Sequence, residues 1–232
     1  MIELLKIIPE FITLLAFVFS LYKYMMMKKS EALENELNNL RALFDIFETT
    51  ESVYREMFIP YPSGLAIEYR LKWFTIKQVD KFFYLNPKLS VYDNFYAYIL
   101  SLLKYIPETE LTLRQMIILY NLFVNNLIKR DKLDQTFQIL YSCVHGIVSS
   151  KFISKHEKSK KIERIQNSIT TRQAILYFFN QIQYSNRQRF FNEYANELKE
   201  YLFFKKMFES IEYNRIECII PLGAEKMFYK LK

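Results

Sequence analysis

Glycine is nearly missing from this chain: Gly64, Gly146 and Gly223 are the three it has in 232 residues. Glycine is the residue that enters left-handed turn conformations and lets a backbone approach a phosphate closely. Phosphate-binding loops of the Rossmann and P-loop kind need two or three glycines within about ten residues, and these three stand far apart. Sandwiches, collagen-like chains and disordered segments also need more Gly and Pro than this. What remains is a helical chain in which 51% of residues are apolar, enough for a substantial core. The expected fold class is all-α: an N-terminal transmembrane helix followed by an antiparallel helical bundle or array.

The N-terminal segment sets the organisation. No charge occurs from Phe11 to Tyr22; Lys23 follows, then Tyr24 and three methionines. A spanning helix needs about 20 predominantly apolar residues, with a range of about 17–25, and Phe11–Met27 reaches the lower bound if Lys23 snorkels. Phe11, Ile12, Leu14, Leu15, Phe17, Val18, Phe19, Leu21 and Tyr22 are the expected lipid-facing residues. No small-residue cleavage site follows, so the segment reads as an anchor rather than a signal peptide. Lys23, Lys28 and Lys29 lie after it, which by the positive-inside rule keeps the following chain in the cytoplasm. The expected arrangement is a single membrane crossing. The competing reading is a soluble helical scaffold in which this helix is buried; Glu3, Lys6 and Glu10 favour it.

Three segments follow from this: an anchor over 1–29, an amphipathic coiled-coil-like helix over 30–58, and an all-helical cytoplasmic domain over 59–232. In the second, Leu33, Leu37, Leu40, Phe44 and Phe47 alternate spacings of four and three, a seam suited to homo-oligomerisation. Pro60, Pro62 and Gly64 mark a linker. Helices are expected over about 66–84 and 91–105, stopped by Asn86-Pro87 and Pro107. Thr112-x-x-Gln115 and Thr170-x-x-Gln173 are capping boxes that open two more. Leu133–Val148 is amphipathic, Asn186 to about Phe208 reads as one aromatic-sided helix, and the tail after Cys218 holds a short helix or extended piece.

Chemistry is sparse. Two histidines exclude a multi-His metal site, and Cys143 and Cys218, 75 positions apart, form no CxxC pair. Cys143 and His145 are a conceivable nucleophile pair with no third orienting partner. Arg130 stands 15 residues before His145, too far for the Arg–polar–His motif of HEPN ribonucleases. No catalytic motif, cofactor or metal site emerges, and the chain does not read as an enzyme. The pI near 9.1 is compatible with anionic partners. Lys151, Lys155, Lys158, Lys160, Lys161 and Arg164 form the densest basic patch, suited to nucleic acid, to a membrane surface or to plain solvation.

Residues 136–148 read TFQILYSCVHGIV, residues 165–180 read IQNSITTRQAILYFFN, and residues 189–194 read RFFNEY. This resembles the phage abortive infection proteins of bacteria, which join an N-terminal membrane portion to a helical domain. Phe137, Leu140 and Tyr141 occupy one of that family's motifs, with Gln138 where its pattern has Arg; Ile175, Leu176, Phe178, Phe179 and Asn180 fit another. The resemblance implies a membrane-anchored antiphage effector acting by protein interaction or membrane perturbation, with the bilayer, further copies of itself, and a phage-derived trigger or co-encoded defence protein as partners. It carries no catalytic residues over. The alternative function is a nucleic-acid-binding or RNA-cleaving protein that uses the basic patch.

Overall fold

The computed structural model describes residues 2–45, 58–60, 82–103, 111–128, 130–151, 153–185 and 191–228. Ten α-helices and one two-stranded sheet occur among them, so the all-α expectation holds. The chain divides into two compact units, Met1–Leu40 and Arg41–Lys232. The first is helix α1 (Ile2–Asp45), whose last residues belong to the second unit. The helix runs from the expected anchor segment into the expected seam segment as far as Asp45, with Lys28–Ser30 causing no break; residues 46–57 lie outside the described ones, and Phe58, the expected end of the seam helix, is in a strand. Among the described residues no helix is long and apolar enough to cross a membrane; in α1 Lys23 interrupts the apolar run.

In the second unit, strands β1 (Phe58–Pro60) and β2 (Phe82–Tyr84) pair antiparallel, with Ile59 opposite Phe83. This corrects two expectations. The start of the linker is a strand, and so is the end of the helix expected over 66–84; residues 66–81 lie outside the described ones. Three consecutive aromatics, Phe82-Phe83-Tyr84, suit a pleated surface, and Pro60 sits at the end of its strand, where a missing N–H is tolerated.

Helices α2 (Val91–Leu102), α3 (Leu113–Val124), α4 (Arg130–Ser149), α5 (Lys155–Ser168), α6 (Thr171–Ser185), α7 (Phe191–Glu200), α8 (Lys205–Phe208), α9 (Ile211–Asn214) and α10 (Leu222–Phe228) follow. Their starts obey local chemistry. Thr112 accepts from the Gln115 N–H while Gln115 reaches back to the Thr112 N–H, and Thr170 and Gln173 do the same. Ser154 and Glu157 form a third such box at the head of α5. Ser90 caps α2 by accepting from the Asp93 N–H.

Helix α6 is the axis of this unit. It packs against α2, α3, α7, α8 and α9, and every residue from Gln173 to Gln183 is buried. A helix covered on all sides needs apolar residues around its whole circumference. Ile175, Leu176, Phe178, Phe179 and Ile182 supply them, each worth roughly 1.5–3 kcal/mol when fully buried. The Phe178 ring meets Phe204, Phe208 and Phe228 edge-on at 5.5–5.6 Å. Phe179 meets Phe95 at 5.2 Å, and Phe95 meets Phe123 at 5.0 Å. The high phenylalanine content is therefore core. At the middle of α6 the Asn180 amide donates to the Tyr120 hydroxyl at 2.7 Å and accepts from Gln181.

The helix expected over 186–208 is broken. α7 stops at Glu200, and Leu202 takes φ 51°, the one positive φ among the described residues. The Phe203 N–H bonds the Leu198 carbonyl and the Leu202 N–H bonds the Lys199 carbonyl, a Schellman ending with leucine where glycine is usual. Gln166 of α5 holds this turn by donating to the carbonyls of Leu202 and Phe203, both at 2.9 Å.

Candidate functional site

The exposed apolar surface is concentrated on α1. Ile12, Leu14, Leu15, Phe17, Val18, Phe19, Leu21 and Tyr22, with Tyr24, Met25 and Met27, are each 50–68% exposed; the Phe11 side chain lies outside the description. At about 100° per residue these positions point in every direction around the helix. Further on the exposed residues turn polar: Ser30, Glu31, Glu34, Asn35, Asn38 and Arg41. The transition is marked by Lys23 and Lys28, both exposed. Lys28 pairs with Glu31 at 3.0 Å and stands 6.0 Å from the centre of the Tyr24 ring. The Lys29 side chain lies outside the description.

Of the expected oligomer seam, the side chains of Leu33, Leu37, Leu40 and Phe47 fall outside the described ones. Phe44 is buried in this chain's own second unit, with its ring 5.9 Å from that of Tyr92. The Tyr92 hydroxyl donates to the Phe44 carbonyl at 3.4 Å. Phe44 thus packs at home, at a helix end, instead of facing another copy.

The basic patch separates into residues with different employments. Lys158 donates to the Val148 carbonyl at 2.6 Å, capping the C-terminus of α4. Lys155 pairs with Glu200 at 3.1 Å. Lys151, Lys160 and Arg164 are exposed, and Lys161 is half-exposed beside Glu157. The Glu157 carboxyl is held below its ordinary range by hydrogen bonds from the Ser154 backbone and hydroxyl, with Lys161 and His156 assisting. α5 contributes only Ile162 and Ile165 to the core.

Cys143 and His145 are not brought together as a nucleophile pair. Cys143 is buried, whereas His145 is half-exposed and turns its Nδ1 to the Glu197 carboxylate of α7 at 3.1 Å. The His145 ring stacks on Tyr141, 5.6 Å between centres and 5° from parallel. Tyr141 meets Tyr194 edge-on at 4.4 Å, and the Tyr194 and Tyr177 hydroxyls share a 2.6 Å hydrogen bond. Burial pushes both phenols upward; in Tyr194 the neighbouring Tyr177 adds to the rise. A phenol held protonated in this way is a packing and hydrogen-bonding group.

A cleft of about 360 Å³ lies where the starts of α2 and α6 meet, lined by Ser90, Asp93, Thr170, Thr171, Arg172 and Glu212 among others. Arg172 pairs with Asp93, and its guanidinium lies 5.0 Å over the Tyr96 ring. The Tyr96 hydroxyl donates to the Glu212 carbonyl at 3.0 Å. Its phenol is raised by burial, against the pull of Arg215. Arg and Asp here neutralise each other across 79 residues of sequence, a juxtaposition with no local signature.

Among the described residues no group of three or more His, Cys, Asp or Glu side chains is placed to hold a metal ion. Compared with protein-family models, curated proteins and solved structures, the chain matches none.

Proposed function

We propose that α1 inserts into the inner membrane of a bacterium, that the second unit is held in the cytoplasm, and that this unit acts there by binding rather than by catalysis. The carrying observation is the exposure of eleven large apolar side chains between Ile12 and Met27, distributed around the whole helix. A second copy of the helix would cover one stripe of such a surface; lipid covers all of it. The 17 residues from Phe11 to Met27 extend about 25 Å along a helix, close to the roughly 30 Å of a bilayer's hydrocarbon. Lys23 then reaches the headgroups by snorkelling, and Lys28 and Lys29 orient the helix. Tyr22 and Tyr24 stand where an interfacial aromatic belt would be.

The role proposed for this tethered unit is that of an antiphage effector which halts the infected cell, supported by the sequence resemblance to phage abortive infection proteins. It would respond to a phage-derived trigger or a co-encoded partner. The test is phage challenge of bacteria expressing the chain and a Leu15→Ser/Phe17→Ser/Phe19→Ser variant at equal levels. The reading predicts protection, or growth arrest on induction, by the parent alone. Full activity of the variant would sink the membrane mechanism, and absence of any effect from the parent would sink the defence role.

A further inference from the structure

Helix α5, 14 residues long, gives little of itself to the core. Ile162 and Ile165 are its buried side chains, and the rest of its surface is charged or polar. Two of the six basic residues around it have structural employment: Lys158 closes the end of α4 and Lys155 pairs with Glu200. The Glu157 carboxylate, one of the two acids on the helix, is engaged at the Ser154 cap. Lys160 and Arg164, one helical turn apart, are exposed on the same face, with Lys151 before them and Lys161 beside them. Glu163 is the acid that remains to oppose them. At the far end Lys206 of α8 bonds Asn167, lengthening the cationic strip.

We infer that this face of α5 is a docking surface for anionic lipid headgroups. This inference rests on the membrane-bound reading above. The strip is a convex helical ridge whose described residues expose no Phe, Tyr or Trp, which favours a charged plane over the aromatic-lined groove that single-stranded nucleic acid uses. Lys160 and Arg164, four residues apart on one helix, stand about 6 Å apart along its axis, within one Debye length, so a charged plane attracts them together. A chain kept at a bilayer by α1 presents this unit to anionic lipid continuously, and several weak cationic contacts then suffice to orient it.

The experiment is flotation of the full chain with vesicles of phosphatidylcholine alone, and of phosphatidylcholine mixed with phosphatidylglycerol, at low and high salt. It is run for the parent, for Lys160→Gln/Arg164→Gln and for Lys160→Arg, with circular dichroism confirming an unchanged helical fold. It is repeated in the Leu15→Ser/Phe17→Ser/Phe19→Ser background, where α1 no longer dominates partitioning. Anionic lipid should add a salt-sensitive gain in affinity. The double substitution should reduce that gain about 25-fold, at about tenfold per 1.4 kcal/mol and about 1 kcal/mol per basic residue. Lys160→Arg should keep it. A gain that is absent, or unchanged in the double variant, overturns the inference, as does displacement of the chain from anionic vesicles by an RNA homopolymer that needs the same two residues. Loss of binding to neutral vesicles instead contradicts the insertion of α1, and leaves the anionic gain readable on its own.

Discussion

The hydroxyl groups of Tyr177 and Tyr194 satisfy each other, 2.6 Å apart, inside the packed interface of α6 and α7. Both side chains are buried. Replacing one by Phe leaves the other phenol short of a buried partner, which costs about 1–3 kcal/mol. Replacing both removes the polar groups together. Tyr177→Phe and Tyr194→Phe should therefore each destabilise, and the double variant should lose less than their sum. Urea unfolding of the four proteins measures this coupling; strict additivity would show that the pair contributes nothing jointly.

The same two phenols make the fold sensitive to alkali. Burial raises both in the folded state, while the unfolded chain releases their protons near pH 10. Their contribution is complete below that value and is lost as pH rises through the folded-state value. Tyrosinate absorbance at alkaline pH should therefore show a final step coincident with loss of helix. The double Phe variant should remove part of that coincident step.

Asn94 uses both its amide hydrogens and its oxygen on backbone. It is fully buried, donates to the carbonyls of Asn86, Leu89 and Ser90 at 2.9–3.1 Å, and accepts from the Asn86 N–H at 2.9 Å. It thereby replaces water for the loop between β2 and α2. Asn94→Ala should cost about 3 kcal/mol or more, since several buried backbone groups lose their partner at once. Asn94→Asp should also destabilise, because a carboxylate donates nothing to the three carbonyls that share the two amide hydrogens. A thermal shift of a degree or less in either variant would contradict this account.

The scarcity of glycine has a measurable consequence at two positions. Gly146 lies inside α4, and a β-carbon there would meet nothing within 4 Å. Leu202 holds φ 51° at the end of α7. At an ordinary helical site alanine exceeds glycine by about 0.5–1 kcal/mol, so Gly146→Ala should stabilise by that amount. At Leu202 the order should invert: Leu202→Gly should be more stable than Leu202→Ala, because a β-carbon in the left-handed region costs about 1–2 kcal/mol. Paired melting curves of the two position-202 variants compare glycine with alanine at that φ directly.

Asp134 offers a test with the same pH sense as the tyrosines, displaced to the acid range. Its carboxyl is raised by burial, in spite of Arg130, whose Nε lies 3.7 Å away. With a folded value above the unfolded one, its contribution is complete below about pH 4 and is lost as pH rises through the folded value. Asp134→Asn should therefore melt above the parent at neutral pH, with the difference closing in acid. A variant less stable than the parent at neutral pH would show that the ion pair with Arg130 outweighs burial.

What the sequence makes legible here is what local chemistry decides. The Thr-Gln boxes at 112 and 170 start their helices as expected, and Asn86-Pro87 ends the segment before α2. The Ser154–Glu157 box carries the same signature, but the lysines around it read first as a charge run. The break at Leu202 has no signature, since neither Gly nor Pro is present and the aromatic pattern runs on; it exists because Gln166, 36 residues earlier, holds the turn. Phe82–Tyr84 becomes a strand through pairing with β1, a tertiary event. Phe44 fits a heptad seam by spacing and is claimed instead by Tyr92. The partition of the basic patch into caps, pairs and free charges depends on Val148 and Glu200, whose proximity no spacing predicts.

The central claim is that the apolar circumference of α1 lies in lipid. Expression of the full chain in bacteria, followed by membrane isolation and alkaline carbonate extraction, tests it most directly. The account predicts that the chain stays in the carbonate-resistant membrane pellet, and that Leu15→Ser/Phe17→Ser/Phe19→Ser moves it to the carbonate supernatant while preserving its helical fold. Recovery of the parent chain as a soluble, folded protein in the absence of detergent would contradict it.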